Sequence, residues 1–232
     1  MPEAHASLGF LTMWYDWDFL KAERELLRAI ELNPNLATAH HWYSYTLMLL
    51  ERTDEALAQM RHALTLDPLS LVITTDIGEL LYRQRRYQEA IAQCQKARDL
   101  DPQFGMAIFW QLLCYLQLNA DDAISILNLC ATNLPHQYRA LTVAHAKAGN
   151  PEHAQRHWQM LQQMTERQYV PPGWSGSWRW PIWAKKTRRL PGLKPLVRTQ
   201  RLVAWLKQDP LADTLRTDPR FSDLLRRIGL QP

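Results

Sequence analysis

A chain of 232 residues, 47% hydrophobic and carrying a formal charge of +4, can bury one or two cores or one elongated array, which excludes a disordered tail. The basicity is local: residues 173–201 hold three Lys, five Arg and no acid, so everything outside them sums to −4, the difference between +4 and +8, and a polyanionic partner could be read from that segment alone. Cys94, Cys114 and Cys130 are too few and too scattered for a paired-cysteine zinc or redox site; their odd number suits a reducing cytosol, and neither a leader pattern nor a membrane-length apolar run is present.

Along the chain, "AERELLRAIELNPN", "ALAQMRHALTLDPLS" and "AIAQCQKARDLDPQF" superpose without gaps. Ala22, Ala56 and Ala90 stand 34 apart, as do Ala29, Ala63 and Ala97, and Pro34, Pro68 and Pro102. A period of this length predicts stacked helix pairs. The first Ala lets the second helix of a pair approach the first closely, and the second Ala lies two turns on along the same face. Leu26, Met60 and Cys94 fall between them as core fillers. Each Pro follows Asn or Asp and ends the helix, because its ring disfavours helical geometry in the residue before it.

The first pair holds one extra residue around "WYDWD". The second spans 37–70 and has Ser44 where Gly9 and Gly78 stand in its neighbours. The fourth, 105–130, is one residue short before Ala123, and the fifth, "HQYRALTVAHAKAGNPEHAQRHWQMLQQ", carries Ala154 at the first-Ala place and Trp158 beyond it. After these comes 169–194, rich in Trp, Gly, Pro and basic residues, where an irregular segment is expected. A helix from about Pro195 and another with Asp218 as N-cap and Pro219 at its first position are expected to form a C-terminal helical cap over 195–232.

This pattern resembles the tetratricopeptide family, closely in the second helices and more loosely in the first. The resemblance covers roughly 2–167 and implies an all-α, right-handed superhelical solenoid of about five repeats over 1–168. More narrowly, "DWDFLKAERELLRAIELNPNLATAHHWYSYTLML" and "DTLRTDPRFSDLLRRIGL" resemble the repeat tails of bacterial winged-helix regulators and adenylate cyclases. In those proteins a separate upstream domain does the chemistry. Met1 falls almost at the start of a repeat, so a stand-alone module or a fragment of such a regulator is expected. In such tails a further helix pair should occupy the place of 173–201. One permitted back-translation of residues 173–199, shifted by one base, reads as an amphipathic helix, a Gly turn forced at Trp183 and Ala184, and a helix with Ala at the repeat position. The segment thus reads as out-of-frame residues rather than as a selected surface.

What the resemblance implies about function is partner binding along the concave face of the first helices. By register that face holds His41, Tyr45, Met48 and Leu49, then Thr75, Glu79, Tyr82 and Arg83, then Met106, Phe109 and Leu113. Aromatic and Met side chains there suit an apolar or amphipathic peptide; the plainer expectation for each is packing between repeats. Relatives that hold a carboxylate terminus use Lys and Asn at fixed places, where Tyr45, Glu79 and Leu113 stand instead, so that ligand class is set aside. His153 and His157, four apart on a helix, lack a third metal ligand in the sequence and read as solvent-facing. His40 and His41 point to different sides of a helix, so at most one faces the groove. Asp121 and Asp122 suit a helix N-terminus. No phosphate loop, dinucleotide fingerprint, nucleophile elbow or metalloprotease motif occurs. A non-enzymatic, cytoplasmic, cofactor-free and metal-free protein scaffold, part of a bacterial regulatory or signalling protein, is therefore expected. Two alternatives are nucleic-acid or anionic-surface binding through 173–201, with Trp stacking on unpaired bases, and a decayed fragment with no selected activity.

Overall fold

A computed structural model describes residues 1–118 and 135–166, with 208–210, 213–219, 222, 223 and 226. All secondary structure among the described residues is helical. The chain divides into two units, Met1–Trp110 and Gln111–Pro232. In the first, helix α1 (Pro2–Leu11) pairs with α2 (Phe19–Leu32), α3 (Ala37–Leu49) with α4 (Thr53–Leu66), and α5 (Leu71–Arg83) with α6 (Tyr87–Leu100). Each pair leans on the next, α2 on α3 and α4 on α5. Helix α7 (Gly105–Leu118) starts in the first unit and ends in the second; α8 (Pro135–Lys147) and α9 (Pro151–Glu166) form a hairpin in the second, and a short α10 spans Asp213–Arg216.

The repeat markers all land in equivalent places. Ala22, Leu26 and Ala29, Ala56, Met60 and Ala63, and Ala90, Cys94 and Ala97 are each 0% exposed. The small helix-A residue sets the approach distance. A Cβ on Gly9 would stand 2.6 Å from Leu26 Cγ, and one on Gly78 2.5 Å from Cys94 Sγ. Ser44 fits in the middle pair because its filler is the unbranched Met60, whose sulfur lies 3.6 Å from Ser44 Oγ. The buried side of each pair is thus a negotiated volume.

Helix ends follow local chemistry. Asp18 caps α2 by accepting from Lys21 N at 2.9 Å, and Ser70 caps α5 by accepting from Ile73 N at 3.3 Å. Arg52 and Arg86 stand at the N-cap positions of α4 and α6 and instead donate to the N3 carboxylates, Glu55 and Glu89, at 2.6–2.7 Å. At the other end, Asn33 and Asp101 are extended before their prolines and Asp67 is likewise non-helical, as the pre-proline restriction favours.

The turn inside each pair has a feature the sequence does not advertise. Trp17, Glu51 and Arg85, 34 residues apart in series, take φ of 64°, 64° and 62°, and Gly149 takes the same place in the α8/α9 turn with φ 79°. The following N–H reaches back to the helix, Arg52 to Leu47 O, Arg86 to Leu81 O and Asn150 to His145 O, a left-handed C-terminal cap. The extra residue of the first pair is taken up by a π-helical turn at Thr12–Asp16, which holds one more residue per turn than its surroundings.

Residues 119–134, which include Asp121, Asp122 and the second half of the expected fourth repeat, lie outside the described residues. So do the expected irregular segment 169–194, the basic Trp-rich stretch 173–201 and the start of the helix expected from Pro195. Near the end, Pro219, Ser222, Asp223 and Arg226 are helical, where the closing helix was expected.

Candidate partner-binding face

Helices α3 and α5 are buried nearly all round. From Ile73 to Tyr82 every residue of α5 is buried, the pattern of a helix enclosed by neighbours. The first-helix face of the amino-terminal unit therefore has an inner row and an outer row. Met48, Thr75 and Tyr82 form the inner row at 1%, 0% and 0% exposure. His41 and Leu49 on α3, Arg83 on α5 and Met106 on α7 are only partly buried. Phe109 is buried beside Trp110, with ring centres 5.1 Å apart. Leu113, beyond the division between units, is buried as well.

Two polar contacts on this face bridge successive repeats. His41 Nε2 lies 2.7 Å from Asp76 Oδ2, its ring 5.5 Å from that of Tyr45. Tyr45 O–H donates to Glu79 Oε2 at 3.4 Å, across one whole repeat. Glu79 in turn accepts from Arg83 at 2.7 and 3.0 Å, one helical turn on. The Arg83 guanidinium sits 5.6 Å above the Trp110 ring, a cation–π distance. Burial, then the nearby Asp76 and Glu79, push the Tyr45 phenol well above its ordinary range. The same burial and carboxylates push the Cys94 thiol up to about 12, which leaves it a core side chain rather than a nucleophile.

Asp76 and Trp110 escaped the sequence reading, although both follow from it in hindsight. Asp76 is one residue past the register position opposite His41, and Trp110 adjoins Phe109 on α7. His40 and His41 do diverge as expected: His40 bridges Gln59 Oε1 at 2.7 Å and the Pro34 carbonyl at 2.9 Å, on the side of α4.

In the second unit His153 and His157 are joined by an imidazole the sequence did not place with them. The His145 ring on α8 stacks on both, with centres 5.1 and 5.3 Å apart. The rings lie face to face instead of converging, and among the described residues no group of three or more His, Cys, Asp or Glu is arranged to hold a metal ion.

Comparison with known proteins matches these features. Family models described as tetratricopeptide repeat match residues 37–68 and 75–104. The chain is similar in fold to PilW, a widely conserved type IV pilus biogenesis factor: identity is 20%, 93% of this chain and 98% of that one are covered, and the TM-score is 0.62. It is similar to TTC0263, a thermophilic TPR protein of Thermus thermophilus, at 20% identity over 73% of this chain and 94% of that one, with a TM-score of 0.60. Pseudomonas aeruginosa pilF matches at 18% identity over 98% of this chain and 91% of that one, with a TM-score of 0.59. No curated protein matches the sequence.

Proposed function

Starting from a tetratricopeptide-repeat protein, we propose a non-catalytic scaffold that holds an extended segment of a protein partner along the first-helix face of its amino-terminal unit. One observation carries this reading. The bonds His41 to Asp76 and Tyr45 to Glu79 tie α3 to α5, the second between equivalent places and the first one residue off register, so successive repeats present one continuous, pre-organised face. A rigid face lowers the ordering cost of binding an extended chain.

The division of labour follows from burial. Met48, Thr75 and Tyr82 back the face, Tyr45, Glu79 and Phe109 lie buried just beneath its surface, and His41, Leu49, Arg83 and Met106 are its more accessible groups, with Leu113 continuing α7 by register. Aromatic and Met surface beside a cation–carboxylate pair suits an amphipathic segment. The finer reading is a bacterial regulatory or signalling protein working in the cytosol. Two buried free thiols, Cys94 and Cys114, support a reducing compartment. No helix among the described residues is long and apolar enough to cross a membrane.

The test is selection from a displayed random-peptide library on the whole chain, followed by affinity measurement. Tyr45→Ala combined with Phe109→Ala should abolish capture of the selected peptides while circular dichroism shows helicity retained, and Arg83→Gln should weaken it about tenfold, as loss of a charge-assisted contact does. Peptides that bind these variants as tightly as the wild type would place the partner elsewhere.

A further inference from the structure

The three stacked imidazoles of the second unit play no part in the proposed partner face. His145 belongs to the last turn of α8, and its backbone carbonyl accepts the Asn150 N–H that closes the α8/α9 turn at 2.8 Å. Its ring meets His153 at 5.1 Å and 27°, and His157 at 5.3 Å and 9°. Nδ1 of His145 and Nδ1 of His157 are both buried without a hydrogen-bond partner. Stacking and orphaned nitrogens suit neutral rings, since a buried polar atom left unpaired is costly and an unpaired buried charge is far costlier.

We propose that His145 and His157, with the His153 ring stacked beside them, make the α8/α9 hairpin an acid-sensitive latch, closed while these two rings are neutral and loosened when a proton puts charge between the helices. Among the described residues, the groups that bear on the rings are all of the wrong sign or neutral. From α9 these are His153, His157 and Arg156; from α8 they are His145 and the Tyr138 ring, 6.1 Å from His157. Among the described residues no carboxylate is paired with any of the three. His5, with Glu25 at 2.7 Å, and His41, with Asp76, are the contrast within the same chain. Those two imidazoles each have a carboxylate partner, whereas among the described residues the α8/α9 trio has none.

Burial, with repulsion from neighbouring imidazoles, holds both His145 and His157 below the ordinary 6.5. A group with a depressed folded-state value binds protons more readily when its surroundings open. Stability of the hairpin is therefore complete above about pH 6.5, where both states are neutral, and falls as the pH drops below it, continuing down to the folded-state values. One effect opposes this: the carbonyl end of α8 favours a cation at His145.

Two measurements on the full chain decide the matter. In an imidazole NMR titration, His145 and His157 should titrate below 6.5; values at or above 6.5 would overturn the latch, with the helix end the stronger influence. In hydrogen exchange at pH 7.5 and pH 5.0, corrected for intrinsic rates, α8 and α9 amides should lose protection relative to those of α3 and α4. In His145→Gln/His157→Gln that relative loss should shrink below about twofold. Equal losses in wild type and variant, or equal losses in both hairpins, would overturn the proposal. Should the variant fail to fold, the wild-type titration still decides it.

Discussion

Gly9→Ala is the sharpest probe of how the helix pairs close. In an exposed helix this change gains about 1 kcal/mol from propensity. Here the added Cβ would stand 2.6 Å from Leu26 Cγ and 3.1 Å from both Leu26 Cδ2 and the Ala22 carbonyl. Leu26 is 0% exposed, so its branch point has nowhere to swing, and the carbonyl belongs to the backbone of α2. Overpacking typically costs about 1–3 kcal/mol, and two immovable contacts place this site in the upper half of that range. The net loss is then roughly 1–2 kcal/mol, or a fall of about 2–8 °C in Tm for a chain of this size. The second pair shows the remedy, since Ser44 coexists with Met60. Leu26→Met alone should cost under about 1.5 kcal/mol, but in the Gly9→Ala background it should restore stability, giving a coupling of about 1 kcal/mol or more in a double-mutant cycle. Urea midpoints followed by circular dichroism supply all four corners. A Gly9→Ala chain more stable than the parent, or a double variant whose losses add, would refute the account of helix approach.

Other outcomes follow from the turns, the core and the caps. Gly149 has φ 79°, and a Cβ placed on it would meet nothing within 4 Å, so Gly149→Ala should destabilise by backbone strain alone, about 1–2 kcal/mol, while Arg85→Gly at the equivalent place should stabilise by up to about 1 kcal/mol; thermal melts check both signs. Cys94, buried and pushed up to about 12, should resist alkylation by iodoacetamide in native buffer and react fully in denaturant, as read by mass spectrometry. Arg52 and Arg86 hold Glu55 and Glu89 below their usual 4.5. Their contribution is present above that value and lost as the pH falls through the lowered folded-state values. Glu55→Gln/Glu89→Gln should therefore flatten the part of the acid-stability curve below about pH 4.5, measured by melting temperature against pH.

The second helices were legible residue by residue because a close helix approach tolerates only small side chains at two places and a filler between them. Ala22, Leu26 and Ala29 state that constraint in the sequence, and their counterparts repeat it. The first helices were legible in register but not in burial. Tyr82 and Met48 were assigned to the partner face by register, yet how deeply each lies depends on what the flanking helices leave open, which spacing cannot report. The His41–Asp76 contact spans 35 residues, one off the period, and so falls between the repeat markers. The left-handed turn position gave no compositional signal in the first three pairs, since Trp17, Glu51 and Arg85 fill it; only Gly149 is the residue such a turn favours. His145 was invisible as a companion of His157 because the hairpin, not the sequence, brings α8 and α9 side by side.

The π turn at Thr12–Asp16 has a bearing on how such a chain can change its length. One residue more or less in a helix rotates everything beyond it by about 100°. Added within α2, that rotation would swing Ala29 out of its contact. Spent in the widened turn before Trp17, the surplus is absorbed locally, and Asp18 still begins α2 in phase with Arg52 and Arg86. Codon gains and losses are thus tolerable at the tops of the hairpins and harmful within the second helices, so the lengths of individual repeats can drift while their stacking does not.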